Sequence, residues 1–350
     1  MAHSPSYLGV PEQRLNEPTA TTRTMPTGLG DILRRADLLN DMAEIERQML
    51  ARTASRSPLL AASGAYTVAA GGKRLRAALV LLCARLGVVY DPGRALHPAI
   101  AIELLHAASL IHDDLVDHAG QRRGHITVHA RWDADVALLL GDYLFALAAN
   151  ELAAEPDPRI IAFYTAAAQT MVEGELNPVT QIEPLEIAVE QYYRKIGCKT
   201  AVLFEAACKA GIAVAGGDDA QIEALGRFGY NMGLAFQIVD DVLDYTSDEA
   251  ALGKPAGNDL REGTLTLPLM YAVAQSRNPL LRAIANGQRP EPARVPQIVA
   301  AVIASGGADR AMEEARGLIE RANQQLTPFA STPARRALIE IGEFVLNRRV

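Results

Sequence analysis

Cysteine, net positive charge and long uncharged apolar runs are all scarce in this 350-residue chain, and each scarcity excludes something. There are three cysteines, Cys83, Cys198 and Cys208, too few for a disulfide framework. Cys198 and Cys208 would lie about 15 Å apart on a continuous helix, beyond the reach of an S–S bond. They read as buried free thiols of a cytoplasmic protein. The formal net charge is −7, so no bulk positive field favours nucleic acid or anionic lipid. The most apolar stretches are 77–90, interrupted by Arg85, and 136–149, which contains Asp142. Neither reaches the ~18–20 apolar residues of a spanning helix. The first residues lack the basic start and apolar run of a signal peptide. No alternating strand pattern persists, and no repeat of 20–50 residues is visible.

What remains is helical periodicity in a chain that is 49% hydrophobic. Residues 1–28 carry four prolines and little pattern and read as a flexible extension. Residues 29–350 read as one all-α domain. Helices are expected over 31–52, 58–70, 73–86, 95–118, 134–155, 158–174, 185–195, 196–215 and 218–245. Five more should follow to residue 347.

Two of these helices end alike. The first closes on Leu110-Ile-His-Asp-Asp-Leu-Val-Asp117 and the second on Phe236-Gln-Ile-Val-Asp-Asp-Val-Leu-Asp244. Residues four apart share a helix face, so Asp113 and Asp117 should present two carboxylates together. Such a pair is costly to bury without a cation. One cluster alone could be a solvated acidic helix end. Two of them, Asp113, Asp114 and Asp117 facing Asp240, Asp241 and Asp244, suggest a Mg²⁺–diphosphate clamp. Mg²⁺ takes few carboxylates and fills its shell with water and phosphate oxygens.

Basic residues gather in matching places. Gly71-Gly-Lys-Arg-Leu-Arg76 puts three cations at a helix start, where the dipole disfavours them but backbone N–H groups favour an anion. Gly120-Gln-Arg-Arg-Gly124 sets two arginines directly after the first Asp cluster, either to neutralise it or to hold phosphate. His106 lies two turns before Asp113 on the same face, as a core residue or a ligand contact. Lys199-Thr200 offers a cation and a hydroxyl, and Gln237 lies one turn before the second cluster. The loop 253–263 has the length and charge of a lid.

These motifs, in this order, resemble the trans-isoprenyl diphosphate synthase, or polyprenyl synthetase, family over roughly residues 30–348. The resemblance implies an all-helical bundle around a deep central cavity, commonly a homodimer. It implies Mg²⁺-dependent condensation of isopentenyl diphosphate with an allylic diphosphate, here farnesyl or geranylgeranyl diphosphate. Asp113, Asp117 and Asp240, supported by Asp114, Asp241 and Asp244, would hold about three Mg²⁺ ions. Arg122, Lys199 and Lys254 would bind the allylic diphosphate. Lys73, Arg76, His106 and Arg123 would bind isopentenyl diphosphate, and Thr200 and Gln237 would line the reacting centre. Two positions depart from the pattern: Ala77 stands where the basic motif usually ends in Pro, and Thr264 where the lid often has Lys.

The residues four and five before Asp113 are Ser109 and Ala108, both small where short-chain members often carry an aromatic floor. By this analogy the product is long, roughly C30 to C50. Phe145 or Phe163 could form a deeper floor, and so apolar a product implies transient membrane contact at release. Two other readings stand beside this one. A class I terpene cyclase would not need Lys73, Arg76 and Arg123 for a second diphosphate. A regulatory subunit of a heteromeric synthase should have lost aspartates, yet both clusters are intact.

Overall fold

The computed structural model describes residues 28–122, 124–176, 179, 181–247, 256–285 and 288–348. The expected N-terminal extension, Gly28 apart, lies outside the described residues, as do Arg123, Gly253 and Lys254.

The described chain is helical almost throughout. It begins with α1 Leu29–Arg35, α2 Leu39–Arg52, α3 Pro58–Ala70, α4 Leu75–Ala84 and α5 Pro92–Val116. A short antiparallel ribbon follows, β1 Gln121–Arg122 against β2 His125–Ile126. Next come α6 Val128–Arg131, α7 Ala134–Ala153, α8 Pro158–Glu175 and α9 Leu185–Ile196. A π-turn, Gly197–Ala201, links α9 to α10 Val202–Val214, and α11 spans Asp219–Thr246. The C-terminal part holds α12 Asn258–Glu262, α13 Leu267–Gln275, α14 Pro279–Ala285, α15 Val295–Ala304, α16 Gly307–Gln325 and α17 Pro333–Asn347.

Six of the helix starts are written in the sequence. Ser57, Asp91, Asp133, Asp157 and Thr332 each accept a backbone N–H from the first turn of the helix that follows. Asp218 and Gln221 form a reciprocal capping box on α11. Three features differ from expectation. The stretch 31–52 is two helices, broken where Asp37 takes φ 54°, and Arg85 donates to the Ala36 and Asp37 carbonyls exposed there. The loop after α5 is a ribbon rather than irregular chain, turned by Gly124 at φ 77°. The apolar run through Asp142 continues into a 20-residue helix, α7, long and apolar enough by composition to cross a membrane. Its inner face, Val136, Leu140, Leu144, Ala148 and Leu152, is buried in the bundle.

α5 packs against α4 and α7, α10 lies between α4 and α11, and α11 runs along α16. The buried apolar side chains form one continuous cluster from Leu29 to Val345. Gly233 is what lets α11 reach the π-turn. A Cβ there would sit 2.6 Å from Ala201 Cα. That close approach sets the second aspartate helix against Lys199 and Thr200.

Candidate active site between two aspartate-bearing helices

Along α5, His106, Ser109, Leu110 and Asp113 are partly accessible, while Ala107, Ala108 and Ile111 are buried. Spacings of three, four and seven place the accessible four on one stripe. Asp117 caps the helix end and is exposed. Asp113 meets Lys199 Nζ at 3.4 Å, and Lys199 also pairs with Glu175 at 2.7 Å. Burial pushes the Asp113 carboxyl above its usual range, with Lys199 opposing. Burial works against the Lys199 charge, but Asp113 and Glu175 outweigh it and raise that pKa. Asp114 is buried and receives Arg122 Nε at 2.7 Å. Burial raises its pKa too, with Arg122 again opposing.

The ribbon that carries Arg122 is held twice at its open end. Thr127 Oγ1 donates to the Ala119 carbonyl at 2.6 Å, and the Tyr66 hydroxyl donates to that of Ile126 at 2.7 Å.

The second cluster is spent differently. Asp241 is buried, with both carboxylate oxygens engaged. The Tyr192 hydroxyl donates to one at 2.6 Å and Gln237 Nε2 to the other at 2.9 Å. Burial pushes the Asp241 carboxyl up to about 7, against those two hydrogen bonds. Gln237 Oε1 in turn accepts from the Thr200 hydroxyl at 2.8 Å. Asp244 accepts the Asp259 N–H at 3.0 Å, and its backbone carbonyl accepts that of Gly257 at 2.8 Å. It thereby ties down the far end of the expected lid.

Asp240 faces Arg348, whose guanidinium lies 2.6 Å away. Arg348 also donates to the Phe236 carbonyl at 2.6 Å and lies 3.8 Å from the Phe236 ring centroid. Its side chain is only 3% exposed, and burial lowers its pKa.

The basic turn before α4 has Gly71 at φ 65° and Arg74 at φ 48°. The helix starts at Leu75, so Lys73 stands ahead of it rather than on it. Lys73 Nζ lies 5.7 Å from the Phe344 ring and the Arg76 guanidinium 4.7 Å from that of Phe204. Phe204 and Phe236 are in tilted contact at 5.3 Å. One aromatic pair, Phe204 and Phe236, therefore underlies Arg76 and Arg348, and Phe344 separately underlies Lys73.

The structure thus joins Asp113, Lys199, Thr200, Gln237 and Asp241 in one line of polar contacts between α5 and α11. It does not join the six aspartates in a ring. Among the described residues, no three His, Cys, Asp or Glu side chains are grouped closely enough to hold an ion by themselves. Lys199 and Arg348 occupy the positions beside Asp113 and Asp240. Even so, the donor set suits a hard divalent ion. Asp113, Asp117 and Asp240 offer few carboxylate oxygens, which leaves most of an octahedral shell to phosphate and water.

Ser109 lies on the accessible stripe, its hydroxyl bonded to the His106 carbonyl at 2.9 Å. Ala108 is fully buried. It shares a face with His112, whose ring approaches the Leu138 carbonyl on α7 at 3.2 Å and packs on Phe145. Phe163 lies under Lys209.

Sequence reasoning missed Glu175, Tyr192 and Arg348. The one signal it passed over was the pair Arg348-Arg349, placed directly after a helix as apolar as Phe344-Val-Leu346.

Known proteins resemble the chain over most of its length. A profile of the polyprenyl synthetase family matches residues 57–302. Component 2 of the heptaprenyl diphosphate synthase of Geobacillus stearothermophilus is 35% identical, over 89% of this chain and 97% of its own. The nonaprenyl diphosphate synthase of Mycobacterium tuberculosis is 32% identical, over 94% and 99%. A crystal structure of the Caulobacter crescentus polyprenyl synthase, complexed with calcium and isoprenyl diphosphate, superposes with a TM-score of 0.84. It is 34% identical and covers 94% of this chain and 100% of its own. The chain belongs to the polyprenyl synthetase family. It is a prenyltransferase that condenses isopentenyl diphosphate with an allylic diphosphate into an all-trans polyprenyl diphosphate.

Proposed function

We propose that the allylic diphosphate binds between Asp113 and Asp117 on α5 and Asp240 on α11, through about three Mg²⁺ ions. The observation that carries this reading is the Lys199 bridge. One cation on the π-turn reaches Asp113, while its neighbour Thr200 is bonded to Gln237, one turn before Asp240. π-turns recur at functional sites, and this one aims two adjacent polar side chains at the gap between the helices.

When bound, the metal ions supply positive charge to the leaving diphosphate. Lys199 and Arg122 add fixed cationic donors on the same side. Lys254 belongs to this set by resemblance. The allylic C–O bond breaks, and the electron pair leaves with the diphosphate. The double bond of isopentenyl diphosphate, held by Lys73, Arg76, His106 and Arg123, attacks the allylic cation. A new C–C bond forms, and a proton passes to the departed diphosphate. Thr200 and Gln237 present oxygens toward the cation. Exclusion of water keeps the cation from being quenched.

The product is placed in the C30–C50 range because Ser109, small and accessible, leaves the way along α5 open. Residues 29–350 act as one domain, with residues 1–28 as an extension. The enzyme works as a homodimer. Leu138 and Leu139 on α7 and Ile161 and Val172 on α8 are exposed on adjoining helices, and a second copy would cover them. The described cysteines are unpaired, in keeping with a cytoplasmic enzyme that meets the membrane only to release product.

One incubation tests the reading. Purified protein, Mg²⁺, labelled isopentenyl diphosphate and farnesyl diphosphate should give a ladder ending at one long prenyl diphosphate. Arrest at C20 would remove the argument from Ser109. No incorporation would point to a required second subunit. Sedimentation should show a dimer, and Leu139→Asp should shift it to monomer.

A further inference from the structure

The basic turn has no cap of its own. Arg74 occupies the N-cap position of α4 in a left-handed conformation, and its side chain does not cap the helix. The first-turn N–H groups of a helix need acceptors. Ala77, the third residue of α4, donates its N–H to Glu103 Oε1, 26 residues away on α5, at 3.1 Å. The other oxygen, Glu103 Oε2, lies 3.5 Å from Arg74 Nη1. Both side chains are over nine-tenths buried. Arg74 also donates to the Val68 carbonyl at 3.0 Å and to Glu46 at 3.4 Å. Only a residue with an N–H can make the bond at position 77, so the alanine that departs from the family motif is used here. Glu103 stands three residues before His106 and ten before Asp113 on the same helix, about 15 Å from the latter.

We propose that Glu103 is the positioning residue of the isopentenyl diphosphate site. Its carboxylate caps α4 from the side and pairs with Arg74, and so holds Lys73 and Arg76 at a set distance from Asp113 along one rigid helix. This rests on the assignment of Lys73 and Arg76 to that diphosphate. Glu103 touches no substrate. It acts through the turn, so its loss should disturb one substrate and spare the other.

The test is steady-state kinetics on the full-length enzyme, with isopentenyl and farnesyl diphosphates varied in turn. Glu103→Gln should raise KM for isopentenyl diphosphate about ten-fold, the effect of one lost charge-assisted contact, and leave KM for farnesyl diphosphate unchanged. Ala77→Pro removes only the N–H, at a helix position proline tolerates, and should raise the same KM about three-fold. The double variant should be no worse than Glu103→Gln alone, because both act on one contact. A merely structural role would lower the active fraction, and hence kcat, with both KM values intact. That result, or equal rises in both KM values, overturns the proposal. Arg76→Ala separates the two levels. If it raises KM for isopentenyl diphosphate while Glu103→Gln does not, Glu103 alone is wrongly placed. If neither changes it, the assignment of the basic turn falls and the proposal with it.

Discussion

The two aspartate clusters have nearly the same sequence and opposite circumstances. In the first, Asp113 and Asp114 are balanced by Lys199 and Arg122, side chains fixed on a π-turn and a braced ribbon. In the second, Asp240 is balanced by Arg348, at the end of the described chain. Asp117 is exposed, whereas its counterpart Asp244 is buried and bonded to the Asp259 N–H. Asp241 has both oxygens occupied by Tyr192 and Gln237. A repeated motif therefore does not mean a repeated role. The first cluster pairs Asp113 with Lys199 and leaves Asp117 exposed; the second pairs Asp240 with Arg348 and uses Asp241 and Asp244 to hold Gln237 and the backbone at 257 and 259.

The largest expected effect is at Asp113. Asp113→Asn should lower kcat/KM by about 10³-fold, since it removes a proposed metal-binding oxygen and the charged partner of Lys199 together. Asp240→Asn should follow closely, read from the same initial rates. Asp241→Leu should act instead on stability. It strands the Tyr192 hydroxyl and one Gln237 donor, at a cost of about 2–4 kcal/mol in urea unfolding. Equal catalytic losses at Asp240 and Asp241 with unchanged stability would break the comparison.

Product length comes next. Ser109→Phe should shorten the ladder by several isoprene units with little change in stability. Ala108→Phe should destabilise by about 1–3 kcal/mol through overpacking against α7, whatever it does to length. Arg348→Ala should have the smallest effect. Asp240 is 44% exposed, so solvent screens its pairing with the buried Arg348. The half-saturating Mg²⁺ concentration should fall about five-fold when it is removed.

Much of this was legible in the chain. The starts after Ser57, Asp133, Asp157 and Asp218 fall where the sequence places them, because a cap is a local contact, whereas α5 begins at Pro92, capped by Asp91, three residues ahead of the expected start. The positions of both clusters followed from spacing alone. What stayed hidden depends on distant partners. Nothing near Asp240 points to Arg348, and nothing near Ala77 points to Glu103. The π-turn escaped because one extra residue in a helix leaves no mark in composition. Ala108 and Ser109 are adjacent small residues, and only the packing of α5 on α7 separates the buried one from the accessible one.

The most direct measurement is a count of bound Mn²⁺ by electron paramagnetic resonance, in the presence of inorganic pyrophosphate, for the wild type and for Asp113→Asn, Asp240→Asn and Asp241→Asn. Loss of bound ions in the first two variants and a full count in the third is the expected result. A full count in Asp240→Asn, or a lost ion in Asp241→Asn, would contradict the division of labour between the two clusters.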